Sequence, residues 1–292
     1  MSEADFLARL RTLPLHPGAR GLIDDTATLA GLTITTDTLV EGIHFLPTDP
    51  PQDVAWKLVA TNLSDLAAKG ALVEGILLNY PLGDETWDAA FLDGLGEVLT
   101  TLACPLLGGD TVTLPGNAPR ILTVTAFGRD APAPLRAGAK PGDALYVTGT
   151  IGDAGAGLAI ARAGSGDPAL LARYRRPVPR LAEGRALASR VHAMMDLSDG
   201  LLIDAARMAA ASDLAVTIDL AAVPLAHGVT DPLAAATAGD DYELLFAAPA
   251  GRALPVPATR VGTFAPGTGL TLTQDSRLLP LPASLGYQHG LR

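Results

Sequence analysis

A single cysteine, Cys104, stands in 292 residues. That excludes an internal disulfide, a Cys-x-x-Cys redox pair and any thiolate-rich zinc or iron–sulfur centre, and leaves Cys104 to be read as a small buried hydrophobe. No apolar run reaches the ~18 residues that a membrane-spanning helix requires. Glu3, Asp5, Arg9 and Arg11 interrupt the region where a secretory leader would need its apolar stretch, so the expectation is a cytoplasmic protein. Basic residues are also scarce: 21 Lys and Arg against 31 Asp and Glu leave a formal charge of -10, without any Lys/Arg run able to track a phosphate backbone. Nucleic acid and anionic membranes are therefore not expected partners. The common phosphate-binding signatures are missing too. There is no Gly-Lys-Ser/Thr, Gly149, Gly152 and Gly155 fall at three-residue steps instead of the G-x-G-x-x-G spacing, and no protein-kinase catalytic-loop motif occurs. An acidic chain of this kind that handles phosphates needs cations between itself and its substrate, and Mg²⁺ held by carboxylates is the usual bridge.

What is present is a chain 48% hydrophobic and 18% charged, rich in Ala, Leu and Val, the composition of an α/β enzyme. Its length suits two domains of roughly 130 to 150 residues. Apolar alternation predicts a strand over Gly31–Leu39 that ends near Asp37. Three- and four-residue steps through Trp56, Val59, Leu63 and Leu66 predict a helix over Asp53–Lys69, stopped by Gly70, with Asn62 and Asp65 on one face. Further strands are expected at Ala71–Tyr80, at Pro105–Leu107 running into Asp110, and at Arg120–Arg129, with a helix over Asp84–Leu102. The segment Asp130-Ala131-Pro132-Ala133-Pro134 is the strongest linker signal and places the domain boundary between residues 133 and 134, giving domains 1–133 and 134–292. Beyond it, strands are expected at Ala144–Thr148, Ala193–Asp196, Leu214–Leu220 and Tyr242–Ala248, and helices up to Ala163, over Pro179–Val191 and over Leu201–Ala211. The Gly-rich entry at Gly149 suits backbone lying close to a neighbour or a phosphate. Each half thus pairs a strand ending at an acid with a helix whose first turns carry another. The tail from Leu254, rich in Pro and Gly, shows only short strands.

Chemistry concentrates in the aspartates Asp24, Asp25, Asp37, Asp65, Asp110, Asp196, Asp199, Asp240 and Asp241. A lone Asp in such a place is usually a cap or turn residue. Several together behind apolar strands repel one another and raise each other's pKa unless a cation intervenes, so metal sites are the simplest explanation for the set.

Six segments, in order, resemble the motifs of thiamine-monophosphate kinases: residues 35–45 (Thr-Thr-Asp-Thr-Leu-Val-Glu-Gly-Ile-His-Phe), 62–71, 108–111 (Gly-Gly-Asp-Thr), 147–153, 196–201 (Asp-Leu-Ser-Asp-Gly-Leu) and 239–244 (Gly-Asp-Asp-Tyr-Glu-Leu). The resemblance spans about Asp5 to Tyr287. It implies a mixed α/β, PurM-like fold of two domains, with N-terminal domains pairing across a homodimer into a β-barrel. The implied reaction is transfer of the ATP γ-phosphoryl group to thiamine monophosphate with several Mg²⁺ ions. By position, Asp24, Asp25, Thr35, Thr36, Asp37, Asp65, Asp110, Asp196 and Asp199 match metal-binding residues. Gly109, Asp110, Arg136 and Ser198 match nucleotide contacts, and His44, Asp240 and Tyr287 match contacts to the thiamine end. No single catalytic residue is implied, because the transfer is metal-assisted. Three departures stand out: Ile23 where Gly commonly precedes the first Asp pair, Asp240 where Glu is usual, and Thr113 or its neighbours in place of an Arg. Related enzymes act on other acceptors in purine synthesis, selenophosphate formation or hydrogenase maturation. The lack of a reactive N-terminal Cys/Lys pair and of a C-terminal Cys argues against the last two, and a full set of metal carboxylates argues against a non-catalytic nucleotide-sensing dimer.

Overall fold

Residues 3–289 are described by a computed structural model. The β-branched and threonine-rich run of the first half forms β2 (Leu32–Val40), which pairs antiparallel with β1 (Ala27–Leu29) and with β5 (Ile121–Arg129). β3 (Leu72–Leu82) lies antiparallel to β5 and parallel to β4 (Leu106–Thr113), giving the order β1-β2-β5-β3-β4. The sheet is open, and β4 is an edge strand exposed along its whole length. The period of two sorts the strand residues cleanly. Thr33, Thr35 and Leu39 of β2 face inward with Leu122, Val124 and Ala126 of β5, whereas Thr36 and Thr38 face solvent.

Three helices accompany this sheet: α1 (Glu3–Leu10), α2 (Pro51–Ala68) and α3 (Glu85–Thr101), the last capped by the Asp84 carboxylate on the Trp87 N–H at 2.8 Å. α2 is the centre of the molecule. Every residue from Val54 to Ala68 is buried, because α3 and the five-stranded sheet cover one side and elements of the second half cover the other. A helix buried all round must partner its polar groups, and Lys57, Thr61, Asn62, Ser64 and Asp65 all lie on this one.

The second half builds a seven-stranded sheet from β6 (Asp143–Val147), β7 (Ala193–Asp196), β8 (Leu214–Asp219), β9 (Leu244–Pro249), β10 (Thr259–Pro266), β11 (Gly269–Gln274) and β12 (Arg277–Leu279), in the order β12-β11-β8-β10-β6-β9-β7. It carries α4 (Asp153–Ala163), α5 (Pro168–Arg175), α6 (Leu181–Leu187), α7 (Leu201–Ala211) and α8 (Pro232–Thr237). Among the described residues no helix is long and apolar enough to cross a membrane.

Four expectations change. Asp37 and Asp110 lie within β2 and β4, not at strand ends. The strand-acid-helix parallel therefore holds only in the second half, where β7 ends at Asp196 and Asp204 sits in the first turn of α7. Asp65 instead lies in the last turn of α2. The helix expected over Pro179–Val191 contracts to α6, which crosses α2 so closely that a Cβ on Gly184 would stand 1.9 Å from the Ala67 carbonyl oxygen. Finally, the tail supplies β10, an interior strand between β8 and β6.

Candidate active site

The site forms where the inner face of β2, the C-terminal half of α2 and the end of β7 meet. On α2, Asn62 and Asp65 lie three residues apart and face β2 together. The Asn62 Oδ1 accepts the Asp37 N–H at 3.0 Å, and Asp65 Oδ2 accepts the Thr35 hydroxyl. Carboxylate oxygens of Asp25, Asp65 and Asp196 lie within 4.8 Å of one another. Asp37 joins them electrostatically. Its carboxyl is pushed up to about 6, first by burial and then by the charges of Asp25 and Asp199. Burial, with the neighbouring Asp25, raises Asp196 to about 8, and burial with Asp196, Asp37 and Asp25 pushes Asp65 well above the usual range. Such a set of hard oxygen donors, unstable as bare anions, is what a divalent cation resolves.

Asp25 behaves in the opposite way. Burial alone would raise its carboxyl, but Lys69 and Arg136 hold it well below the usual range. The Lys69 ammonium lies 2.6 Å from Asp24 Oδ1 and 3.0 Å from Asp25 Oδ2, Arg136 donates to Asp25 Oδ1, and Arg20 reaches Asp24 Oδ2 at 2.6 Å. Arg20, Gly21 and Leu22 all adopt positive φ, which turns the chain so that Arg20 folds back onto Asp24. Ile23 itself has φ -116°, an ordinary value, so the absence of glycine there costs nothing. The Arg136 side chain expected at the nucleotide is thus engaged by Asp25.

Across the site, the loop after β7 and the loop before β9 continue the β7–β9 ladder: Leu197 N–H donates to the Glu243 carbonyl, Tyr242 N–H to Leu197 and Asp240 N–H to Ser198, at 2.8 to 2.9 Å. Asp240 is thereby placed beside Ser198 with a positive φ of 69°. Its carboxylate receives the Lys57 ammonium at 2.7 Å and the Tyr242 hydroxyl at 3.1 Å, and Lys57 also donates to the His44 carbonyl at 3.1 Å. His44 Nδ1 accepts the Val40 N–H at 3.0 Å, so the neutral ring carries its proton on Nε2. Burial, more than any charge, lowers its pKa. His44, tilted, and Tyr287, edge-on, both contact the His289 ring, with ring centroids 5.6 and 5.0 Å from it, and the Tyr287 N–H donates to the Asp199 carbonyl at 2.9 Å. His44, Asp240 and Tyr287 are therefore gathered from three distant segments. Asp199 is held by Arg207 at 2.5 Å, with Asp204 accepting the N–H groups of Asp199 and Gly200 at 3.1 and 3.2 Å.

Thr36, Gly109 and Asp110 stand apart from this cluster. Strand register puts Asp37, Val124, Leu78 and Gly109 in one row and Asp110, Asn79, Thr123 and Thr38 in another. The second row faces solvent, as the 2.8 Å contact between the Thr38 and Thr123 hydroxyls shows. Asp110 lies three strands from β2, roughly 14 Å at the usual strand spacing. Gly109 must be glycine, since a Cβ there would fall 1.8 Å from the Leu78 carbonyl oxygen. The Gly-rich entry to α4 meets neighbours and no open cradle: Gly149 packs on Glu243, Gly152 packs on Ala235, and the Asp241 carboxylate caps the N–H groups of Gly152 and Ala154 at 2.7 and 3.2 Å. Lys57, Lys69, Asp204 and Arg207 also border the site, although residue spacing does not point to them. Lys57 alone gave a signal, a charge inside an otherwise apolar arc.

The AIR synthase related protein N-terminal domain family matches residues 23–129, and the corresponding C-terminal domain family matches residues 140–269. The thiamine-monophosphate kinase of Caulobacter vibrioides is 38% identical over 99% of this chain and 91% of that protein, and that of Escherichia coli is 41% identical over 78% of this chain and 76% of that protein. The chain belongs to the thiamine-monophosphate kinase family. AaThiL complexed with AMPPCP and TMP superposes with a TM-score of 0.83 at 27% identity, covering 95% of this chain and 96% of that one. The thiamine-monophosphate kinase of Stenotrophomonas maltophilia gives 0.76 at 35%, covering 96% and 99%. The hydrogenase maturation protein HypE in complex with ATP, at 20% identity and a TM-score of 0.72 over 97% and 94% of the two chains, shares the two-domain α/β, PurM-like fold alone.

Proposed function

We infer that this chain transfers the γ-phosphoryl group of ATP to the phosphate of thiamine monophosphate, yielding thiamine diphosphate and ADP. The observation that carries the reading is the juxtaposition of two carboxylates that no salt bridge among the described residues reaches, Asp65 and Asp196, whose oxygens lie within 4.8 Å, and Asp37, coupled to them by charge, with the His44, Asp240 and Tyr287 group, the two joined through Asp199. The acceptor phosphate is already anionic, so no general base is required and the task is to neutralise and align two anions. Asp37, Asp65 and Asp196, with the Thr35 hydroxyl beside them, form an all-oxygen donor set that fits Mg²⁺. When bound, Mg²⁺ supplies the positive charge that lets the two phosphates approach. The chain's own contributions are positional. The protonated Nε2 of His44 offers a donor at the thiamine end, Asp240 offers an acceptor and a negative charge to that cationic group, and the Lys57 ammonium fixes Asp240 and the His44 carbonyl in one place. Asp240 is shorter than Glu by a methylene, and its salt bridge to Lys57 holds it at the cleft.

The same reading includes a homodimer in cytoplasm and the boundary near residue 133. Leu77, Leu106, Leu107 and Val112 are exposed on or beside the open β4 edge, an apolar surface of the kind that pairing covers. Two such sheets closing into a barrel would bring Asp110 and Thr36 from the outer face, with Gly109 beside Asp110 on the β4 edge, to a nucleotide held between copies.

The test is ADP formation with and without thiamine monophosphate, with ³¹P NMR of the product. ADP released only with thiamine monophosphate, together with a new diphosphate signal, is expected. ATP hydrolysis indifferent to that acceptor would overturn the assignment.

A further inference from the structure

We propose that the Lys69 ammonium is a resident counter-cation that takes the place of one divalent ion at the Asp24–Asp25 corner of the site. The proposal rests on the reading that the adjacent carboxylates hold metal, and it narrows which of them do. Lys69 caps the C-terminus of α2, a position where a lysine ordinarily turns to solvent against the helix dipole. Here its side chain is fully enclosed. Its three protons have three acceptors: Asp24 Oδ1 at 2.6 Å, Asp25 Oδ2 at 3.0 Å and the Met194 carbonyl at 3.3 Å. The remaining oxygens of the pair are taken as well, Asp24 Oδ2 by Arg20 and Asp25 Oδ1 by Arg136. Two carboxylates therefore face three fixed cations, whereas none of the salt bridges among the described residues reaches Asp37, Asp65 or Asp196.

A divalent ion at the corner would need carboxylate oxygens at about 2.0 to 2.1 Å. The ammonium already occupies the space between those oxygens, and the two cations exclude each other. Neutralisation of this corner is consequently independent of the metal concentration, and the divalent ions are confined to the Asp37, Asp65 and Asp196 side. Lysine supplies a compact point charge but no vacant coordination position, so it balances charge there without binding a phosphate oxygen as a ligand.

The test counts Mn²⁺ bound to the full-length protein by electron paramagnetic resonance, using Mn²⁺ alone, for wild type, Lys69→Arg and Lys69→Met. Lys69→Arg should bind as many ions as wild type, and Lys69→Met one more. In parallel, thermal melts in EDTA and in excess Mg²⁺ should show a larger metal-induced rise for Lys69→Met than for wild type. Should Lys69→Met be unfolded in EDTA, Mg²⁺ should restore its fold, and failure to restore it would overturn the proposal. Equal counts in folded wild type and Lys69→Met defeat this proposal alone. A wild type that binds no Mn²⁺ defeats the metal-bridged reading and this proposal together.

Discussion

Asp25 and Asp65 have carboxylate oxygens within 4.8 Å of each other and both are buried, yet their environments are opposite. Asp25 is clasped by Lys69 and Arg136, and its charge is held by the protein itself. Asp65 receives one hydroxyl from Thr35 and otherwise faces Asp37 and Asp196, so its charge is opposed by the protein. Burial pushes both carboxyls up and so does not separate them. What separates them is the sign of the nearest charges, and the difference divides one acidic cluster into a part that the protein neutralises and a part that it leaves unpaired.

Neutralising each residue in turn should expose that division. Asp65→Asn should lower kcat on the order of a thousandfold, the scale on which removing one preorganised electrostatic contact acts. The same change should raise the melting temperature of the metal-free protein at pH 8, because it removes a repelling charge. Loss of activity without that gain would mean that Asp65 is not strained by its neighbours. Asp25→Asn should do the reverse, destabilising the fold by about 3 to 5 kcal/mol by leaving Lys69 and Arg136 without a counter-charge. Urea unfolding in EDTA measures this, and a stability within 1 kcal/mol of wild type would erase the distinction.

A smaller effect follows from pH. Asp37 and Asp196, raised to about 6 and about 8 from an ordinary 3.8, keep protons in the folded state that the unfolded chain has already released. Between about pH 4 and pH 8 the native state binds more protons, so the stability of the metal-free protein should fall as pH rises through that window. Melting temperatures in EDTA should drop by several degrees between pH 5.5 and 8.5, and saturating Mg²⁺ should flatten the slope. A rise with pH over that window would mean that Asp37 and Asp196 do not keep their protons in the folded state.

Much of the fold was legible because the hydrophobic period is regular where packing is one-sided. β5 and α7 fall within the bounds that alternation and helical steps assign. β10 escaped because a register shift between Arg260 and Gly262 sets its buried residues Val261 and Phe264 three apart, which breaks the period of two. Within the site, the common face of Asn62 and Asp65 could be derived from helical spacing. The convergence of Asp25, Asp65 and Asp196 could not, since it depends on how two sheets dock against α2, and only resemblance pointed to it. Lys69 was unreadable for a related reason: a lysine ahead of a helix-stopping glycine looks like an ordinary terminal charge, and its burial arises from the loop at residues 20–25, more than forty residues away.

The burial of α2 on every side has a practical consequence for anyone dividing this protein. Ala67 and Ala68, at its end, pack into a cluster whose other members, among them Tyr146, Leu187, Met194 and Phe246, all belong to the second half. A fragment ending near residue 133 would expose that strip, and the complementary fragment would lose the helix on which its β7 edge rests. Neither half is a separable module, and crossover chimaeras between family members should be joined so that α2 and the strands on both of its sides come from one parent.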